Sequence, residues 1–242
     1  MAKVEKTPRK KRVFFDNLKL NKVVIEIRYP KGYLYWDVCG RCILEINSKS
    51  NEKIDFLQLS ADECTLKFLD HPDAKASFGI RHMTLSANEL KNINIFKENG
   101  PLIFEVVKTN LKIQEISRAG LRLFYALEKD SVDEAEEFIK ELDICSVNAV
   151  RFKGFGNKVV VTQPIVEASD DEGDVRIRIN AVRRTDADDP GVKFNEYSPR
   201  YAVLIDIDFF KQNIKVEEFD LEQFIHRSQK KIKDHIAQIL NK

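Results

Sequence analysis

The ten residues Tyr201–Phe210, reading YAVLIDIDFF, constrain the fold more than any other segment. β-Branched and aromatic residues dominate the run, and these favour a pleated, half-buried backbone. A strand this apolar must be covered on at least one side, so the chain has to build a sheet with another layer packed over it. Asp206 and Asp208 stand two positions apart within it, which puts both carboxylates on one face. Ile205 and Ile207 take the other face, while Leu204 shares the parity of the aspartates.

Other segments carry the same period. Lys22–Tyr29 is rich in β-branched residues and stops at Pro30. Residues 55–60 and 64–69 read as a hairpin around Ala61-Asp62-Glu63, and Phe78, Ile80, Met83 and Leu85 as one further strand, with His71-Pro72 in a turn. Residues 112–127 alternate as a long strand. Residues 157–168 and 174–184 flank the acidic hairpin loop Ser169–Gly173.

Helical spacing punctuates these strands. Leu34, Val38, Cys42, Ile43 and Ile46 recur at three- and four-residue intervals. Residues 102–111 read as a helix with Pro101 at its first turn, where the missing N–H does no harm. Ser131 with Glu134 forms a capping box opening a helix to about Leu142. After Asp220, Phe224, Ile225, Ile232, Ile236, Ile239 and Leu240 fall on one broad face of a terminal amphipath. Strands with helices between them, seldom in strict alternation, define an α+β class with mainly antiparallel sheets and a C-terminal amphipathic helix. Residues 1–12 lack an apolar period and are expected to be a disordered arm. Residues 13–242 form the α+β domain, either undivided or as two similar lobes, 13–145 and 146–242; no sequence repeat is strong enough to establish a duplication.

A chain of 242 residues can bury a core without metal or disulfide support. No stretch approaches the roughly 18 consecutive apolar residues of a membrane span, and the N-terminus lacks the apolar region of a signal peptide. A cytoplasmic protein with no membrane association is therefore expected, with Cys39, Cys42, Cys64 and Cys145 as reduced thiols. The net charge of +1 conceals an asymmetry: Lys3, Lys6, Arg9, Lys10, Lys11 and Arg12 face Glu5 alone in the arm, and the body is mildly acidic.

Four segments together resemble a sporadically distributed family of uncharacterised prokaryotic proteins of about this length. They are the strand Val23–Tyr29, the paired strands Leu57–Phe68, the run Arg118-Ala119-Gly120-Leu121-Arg122-Leu123, and Leu204–Phe210 with the acidic-then-amphipathic helix that follows. The third is similar to the family's R-x-G-L-R-Y segment; this chain departs from it at Leu123-Phe124, where the family tends to carry Tyr-Asn. The likeness spans roughly residues 22–240. It implies no activity, cofactor or catalytic residue, and the patchy distribution implies an accessory role such as defence.

Candidate chemistry is sparse. Cys39-Gly40-Arg41-Cys42 has the C-x-x-C spacing of thiol–disulfide exchange, with Trp36 just upstream, but lies within its helix instead of at the N-terminus that depresses a thiol pKa. As a zinc half-site it lacks a second pair. His226 and His235 fall on opposite faces of the last helix and cannot share a metal. Asp206 and Asp208 have the spacing to hold Mg²⁺ or Mn²⁺, or to form a polar sheet face. Asp186–Gly191 begins like a calcium loop, but Pro190 and Tyr197 replace two of its ligands. Arg176 and Arg178 share one strand face, Arg118 and Arg122 another; adjacent strands would make them a patch for phosphate or carboxylate, and the alternative is a sheet face paired with acids. Arg9, Lys10, Lys11 and Arg12 could add a sequence-independent phosphate contact.

No P-loop, dinucleotide-binding glycine pattern or nucleophile elbow occurs. The leading expectation is a non-enzymatic binding or adaptor protein with a protein partner and no cofactor. Nucleic-acid association through the arm and the arginine strands is the alternative. A metal- or thiol-dependent enzyme on Asp206, Asp208, Cys39 or Cys42 is third.

Overall fold

The computed structural model describes residues 12–88, 93–144, 163–183 and 200–241. Its strands are β1 (Lys19–Arg28), β2 (Ile54–Leu59), β3 (Glu63–Phe68), β4 (His71–Gly79), β5 (His82–Asn88), β6 (Glu115–Lys129), β7 (Ile165–Asp170), β8 (Gly173–Arg183) and β9 (Tyr201–Lys215). Its helices are α1 (Tyr35–Lys49), α2 (Asn94–Leu111), α3 (Val132–Leu142) and α4 (Leu221–Ile239). Among the described residues all nine strands join one antiparallel sheet in the order β2-β3-β4-β5-β1-β6-β9-β8-β7. The protein is α+β, as its sequence pattern requires.

Strand alternation divides the sheet into two unlike faces. Val23, Ile25 and Ile27 of β1 register with Leu123, Leu121 and Ala119 of β6, and Leu123 and Leu121 in turn with Ile207 and Phe209 of β9. All are buried in one cluster with Cys64, Leu66 and Phe68 of β3 and Met83 and Leu85 of β5. The helices cover this face, supplying Tyr35 and Ile46 from α1, Phe96, Ile103 and Phe104 from α2, Ala135 and Ile139 from α3, and Phe224, Ile225 and Ile232 from α4. Each large side chain buried here contributes about 1.5–3 kcal/mol relative to exposure.

Local signals place the helices. Ser131 Oγ accepts the Glu134 N–H at 3.1 Å, and Glu134 reaches back to the Asp130 N–H at 2.9 Å, so the cap of α3 closes one residue wider than the usual reciprocal pair. Asp220 Oδ1 accepts the Gln223 N–H at 2.9 Å to start α4, a cap worth about 1 kcal/mol. Among the described residues no helix is long and apolar enough to cross a membrane.

Two elements differ from the sequence reading. Residues 71–88 form two strands, β4 and β5, turning at Ile80-Arg81, with His71 and Pro72 opening β4. Pro72 is tolerated because it sits at the strand's very start, beside an irregularity between Lys67 and Phe68 of β3. α2 starts at Asn94, so Pro101 lies inside it and removes one intrahelical hydrogen bond. The many apolar residues that α2 buries outweigh that loss.

The two parts of the chain share a connection pattern. β1 leads through α1 to a meander whose last strand, β5, returns beside β1 and is followed by α2; β6 leads through α3 to β7, β8 and β9, which returns beside β6 and is followed by α4. The antiparallel β1–β6 pair joins the two patterns into one sheet. The repeat of topology therefore divides the chain between Leu111 and Glu115, and the β6–β9 ladder spans 13–145 and 146–242 alike.

Candidate functional site

The face turned away from the helices is mainly polar, with Phe124, Leu204 and Phe210 also on it. Its centre is the three-strand block β6-β9-β8. Arg118, Gly120, Arg122 and Phe124 of β6 lie beside Asp206, Asp208 and Phe210 of β9, which lie beside Arg178, Arg176 and Asp174 of β8. The two arginine strands are thus not adjacent. They flank the aspartate strand on either side, and guanidinium and carboxylate groups interleave.

The contacts are slanted along the strands. Arg122 is opposite Asp208 in register yet reaches Asp206, with Nε 2.7 Å from Oδ1 and Nη2 2.6 Å from Oδ2. Arg118 is opposite Gln212 and reaches Asp208, its Nη2 lying 2.8 and 2.7 Å from the two carboxylate oxygens. Each arginine runs over an aromatic ring on the way: Arg122 is 4.7 Å from the Phe124 centroid and Arg118 4.6 Å from that of Phe210. Arg176 approaches the Phe210 ring at 5.9 Å and its Nε donates to Glu167 of β7 at 2.5 Å. Arg178 Nη1 lies 3.7 Å from Asp206 Oδ2. On the β1 side, Glu26 Oε2 accepts Arg28 Nε at 2.8 Å and Arg118 Nη1 at 3.4 Å.

Gly120 explains the spacing of the R-x-G-L-R segment. A Cβ on residue 120 would sit 2.5 Å from Arg118 Nη1. The missing side chain is the channel through which Arg118 lies flat and reaches Asp208. The two arginines and the glycine form one device: a first guanidinium laid over the glycine, a second laid over the phenylalanine that follows.

Electrostatics follow the geometry. Asp206, buried between Arg122 and Arg178, holds the Arg122 guanidinium above its ordinary pKa through their hydrogen bonds. Lys22 is pushed below its ordinary value, first by burial and then by the positive charge of Lys75 and Arg122. Phe210 is buried by this cluster, whereas about a third of the Arg122, Arg176 and Arg178 side chains remains exposed (38, 36 and 37%). A guanidinium has five donors, and Asp206 takes two from Arg122, so a partner can be recognised without breaking the pair.

Removing the acceptor should be costly. Asp206→Ala is expected to lower the unfolding free energy by about 2 kcal/mol, below the 3–5 kcal/mol of a fully buried pair because water still reaches Arg122. Urea denaturation measures this, and Asp206→Ala with Arg122→Ala together should cost less than the sum of the two.

The remaining candidates fall elsewhere. Cys39 and Cys42 face the core from within α1, beside Cys64 of β3, and all three are free thiols. Burial, and then neighbouring Cys39, push Cys42 and Cys64 up to about 12. His226 and His235 are exposed on α4, and His82 Nε2 lies 2.6 Å from Glu63 Oε2 on the polar face. Among the described residues no three His, Cys, Asp or Glu side chains are arranged to hold a metal ion. Arg12 is exposed. Arg9, Lys10, Lys11, Cys145 and the acidic run 186–191 lie outside the described residues. Sequence parity identified the arginine and aspartate pairs; it did not identify Phe124, Phe210, Glu26 or Gly120, although the glycine's place midway between two arginines was a usable signal.

No family model matches this sequence, and no curated protein matches it.

Proposed function

We propose that this protein is a non-enzymatic adaptor that docks a protein partner on its β6-β9-β8 face. The observation that carries the reading is the interleaved ladder itself: arginines held flat on phenylalanine rings by carboxylates, each with donors to spare. Arginine and aromatic side chains are the residues that dominate protein–protein binding energy when they are rigid before contact. Here cross-strand hydrogen bonds set their rotamers, so little side-chain entropy is left to lose. The near balance of charge favours a partner of mixed charge, such as a protein surface, over a polyanion.

Two variants on the polar face test it. Gly120→Val fills the channel under Arg118 at constant charge, and Arg122→Glu reverses one rung. A partner that co-purifies stoichiometrically from the source cells with the wild-type chain should be lost with both, while far-UV spectra stay unchanged. Retention of that partner by both variants would overturn the reading. So would salt-dependent binding of DNA or RNA abolished by deleting residues 1–12, which would instead establish the nucleic-acid alternative.

A further inference from the structure

The polar face is one unlike surface of this sheet; its β2 edge is another, and we propose that this edge is where a second copy of the chain binds, extending the sheet by antiparallel β2–β2 pairing with α1 packed on α1. The two edge strands differ in what protects them. β7 also exposes Ile165 and Val166, but it carries Glu167 and Asp170, both engaged by basic side chains, the second by Lys231 of α4. β2 presents Phe56, Leu57, Gln58 and Leu59 in a row, with Phe56, Leu57 and Leu59 44, 52 and 57% exposed. Apart from Asp55, which pairs with Lys67 of β3, this edge carries no charge, and such a strand is a template for strand addition.

The helix layer continues the same exposure. One flank of α1 faces α2, where Glu45 Oε2 accepts Asn110 Nδ2 at 2.9 Å. The opposite flank faces the free edge, since Trp36 Nε1 donates to Ala61 O in the β2–β3 turn at 2.6 Å. Trp36, Gly40, Ile43 and Asn47 follow one another along that flank at helical spacing. Trp36 is 62% exposed and Leu44, beside the stripe, 73%. Gly40 is a mid-helix glycine where an added Cβ would meet nothing within 4 Å. It weakens α1 by about 1 kcal/mol relative to alanine and has no packing role inside the chain. A second helix crossing closely at this point supplies one.

The occupant is argued from self-complementarity. A register shift between Phe56 and Gln58 leaves Leu57 unpaired and puts both Phe56 and Leu59 on the helix side, opposite Leu66 and Cys64. A twofold axis between Leu57 and Gln58 sets Phe56 of each copy against Leu59 of the other, a pair that occurs twice. α1 runs antiparallel to β2, from Trp36 over Ala61 to Lys49 near Ile54, so the same axis passes the Gly40–Ile43 stretch. Strand pairs and helix crossing therefore share one symmetry element, as an isologous contact requires.

Sedimentation velocity on the full chain, from micromolar to submillimolar concentration, tests this. The wild type should form a dimer of twice its 28.0 kDa mass. Leu59→Lys, at an exposed position, should weaken self-association by roughly 100-fold or more, since each change acts twice per dimer. Gly40→Leu should weaken it comparably while raising the melting temperature of the monomer, which separates a lost interface from a damaged fold. A wild type that stays monomeric throughout overturns the proposal, and so does a dimer that tolerates both substitutions.

Discussion

Replacing Gly79 with alanine is expected to lower the unfolding free energy by about 3–4 kcal/mol, more than any other single methyl group added to the sheet. Gly79 ends β4 and is buried opposite Glu63 of β3. A Cβ there would lie 2.1 Å from the Asp62 carbonyl oxygen and 3.1 Å from both Asp62 C and Glu63 Cα. These are backbone atoms and cannot rotate aside. The Asp62 carbonyl also accepts the Ile80 N–H at 3.0 Å, and the Gly79 carbonyl accepts the buried Tyr29 hydroxyl at 2.7 Å. Relieving the clash must therefore move the β2–β3 turn, the start of β5 and the end of β1 together. Overpacking a core usually costs about 1–3 kcal/mol when side chains can adapt, and here none of the colliding atoms belongs to one. Urea denaturation monitored through Trp36, whose indole hydrogen-bonds to Ala61 in the same turn, would report the loss. An unchanged midpoint would show that this turn tolerates displacement.

That turn region also shows what was legible in the sequence. Tyr201–Phe210, the cap of α3 and the terminal amphipath were readable because each declares its period or its cap within a few residues. The β4–β5 turn was readable in principle: Phe78 and Ile80 have one parity and Met83 and Leu85 the other, and a change of parity cannot occur inside a regular strand. Merging them into one strand overlooked that switch. The start of α2 was hidden because Gly100-Pro101 is a strong local breaker signal, overridden by the burial of Ile95, Phe96, Ile103 and Phe104. The site was half legible. Alternation put Arg118 with Arg122, and Asp206 with Asp208, on common faces. That β9 lies between β6 and β8 depends on pairings across 80 to 90 residues, such as Arg122 with Asp206 and Arg118 with Asp208, which no local pattern encodes.

Raising the pH from 8 to 10.5 is expected to remove about 2–4 kcal/mol of stability through Cys42 and Cys64. Both thiols are buried in the core between α1 and β3, with no exposure. Burial disfavours the thiolate and pushes both from an ordinary 9.0 up to about 12. In the unfolded chain the same thiols ionise near their ordinary value. Below pH 9 both states hold the proton and the full contribution is present. Between the two values the unfolded chain releases protons that the folded chain keeps, so stability falls by up to about 1.4 kcal/mol per pH unit for each thiol until the folded groups themselves ionise. Tyr125, pushed up to about 12 by burial, adds to the fall, and burial raises Tyr29 and Tyr35 in the same sense. Urea denaturation at the two pH values measures the sum. In a Cys42→Ala, Cys64→Ala double variant the fall should shrink to the tyrosine share, although the cavities lower its stability at pH 8. Equal midpoints at pH 8 and 10.5 for the wild type would refute this account of the thiols. The same burial should make folded Cys42 and Cys64 slow to alkylate at pH 8.5, because the thiolate is the reacting species. Rapid stoichiometric alkylation of the folded protein would return the C-x-x-C segment to the list of chemically active sites.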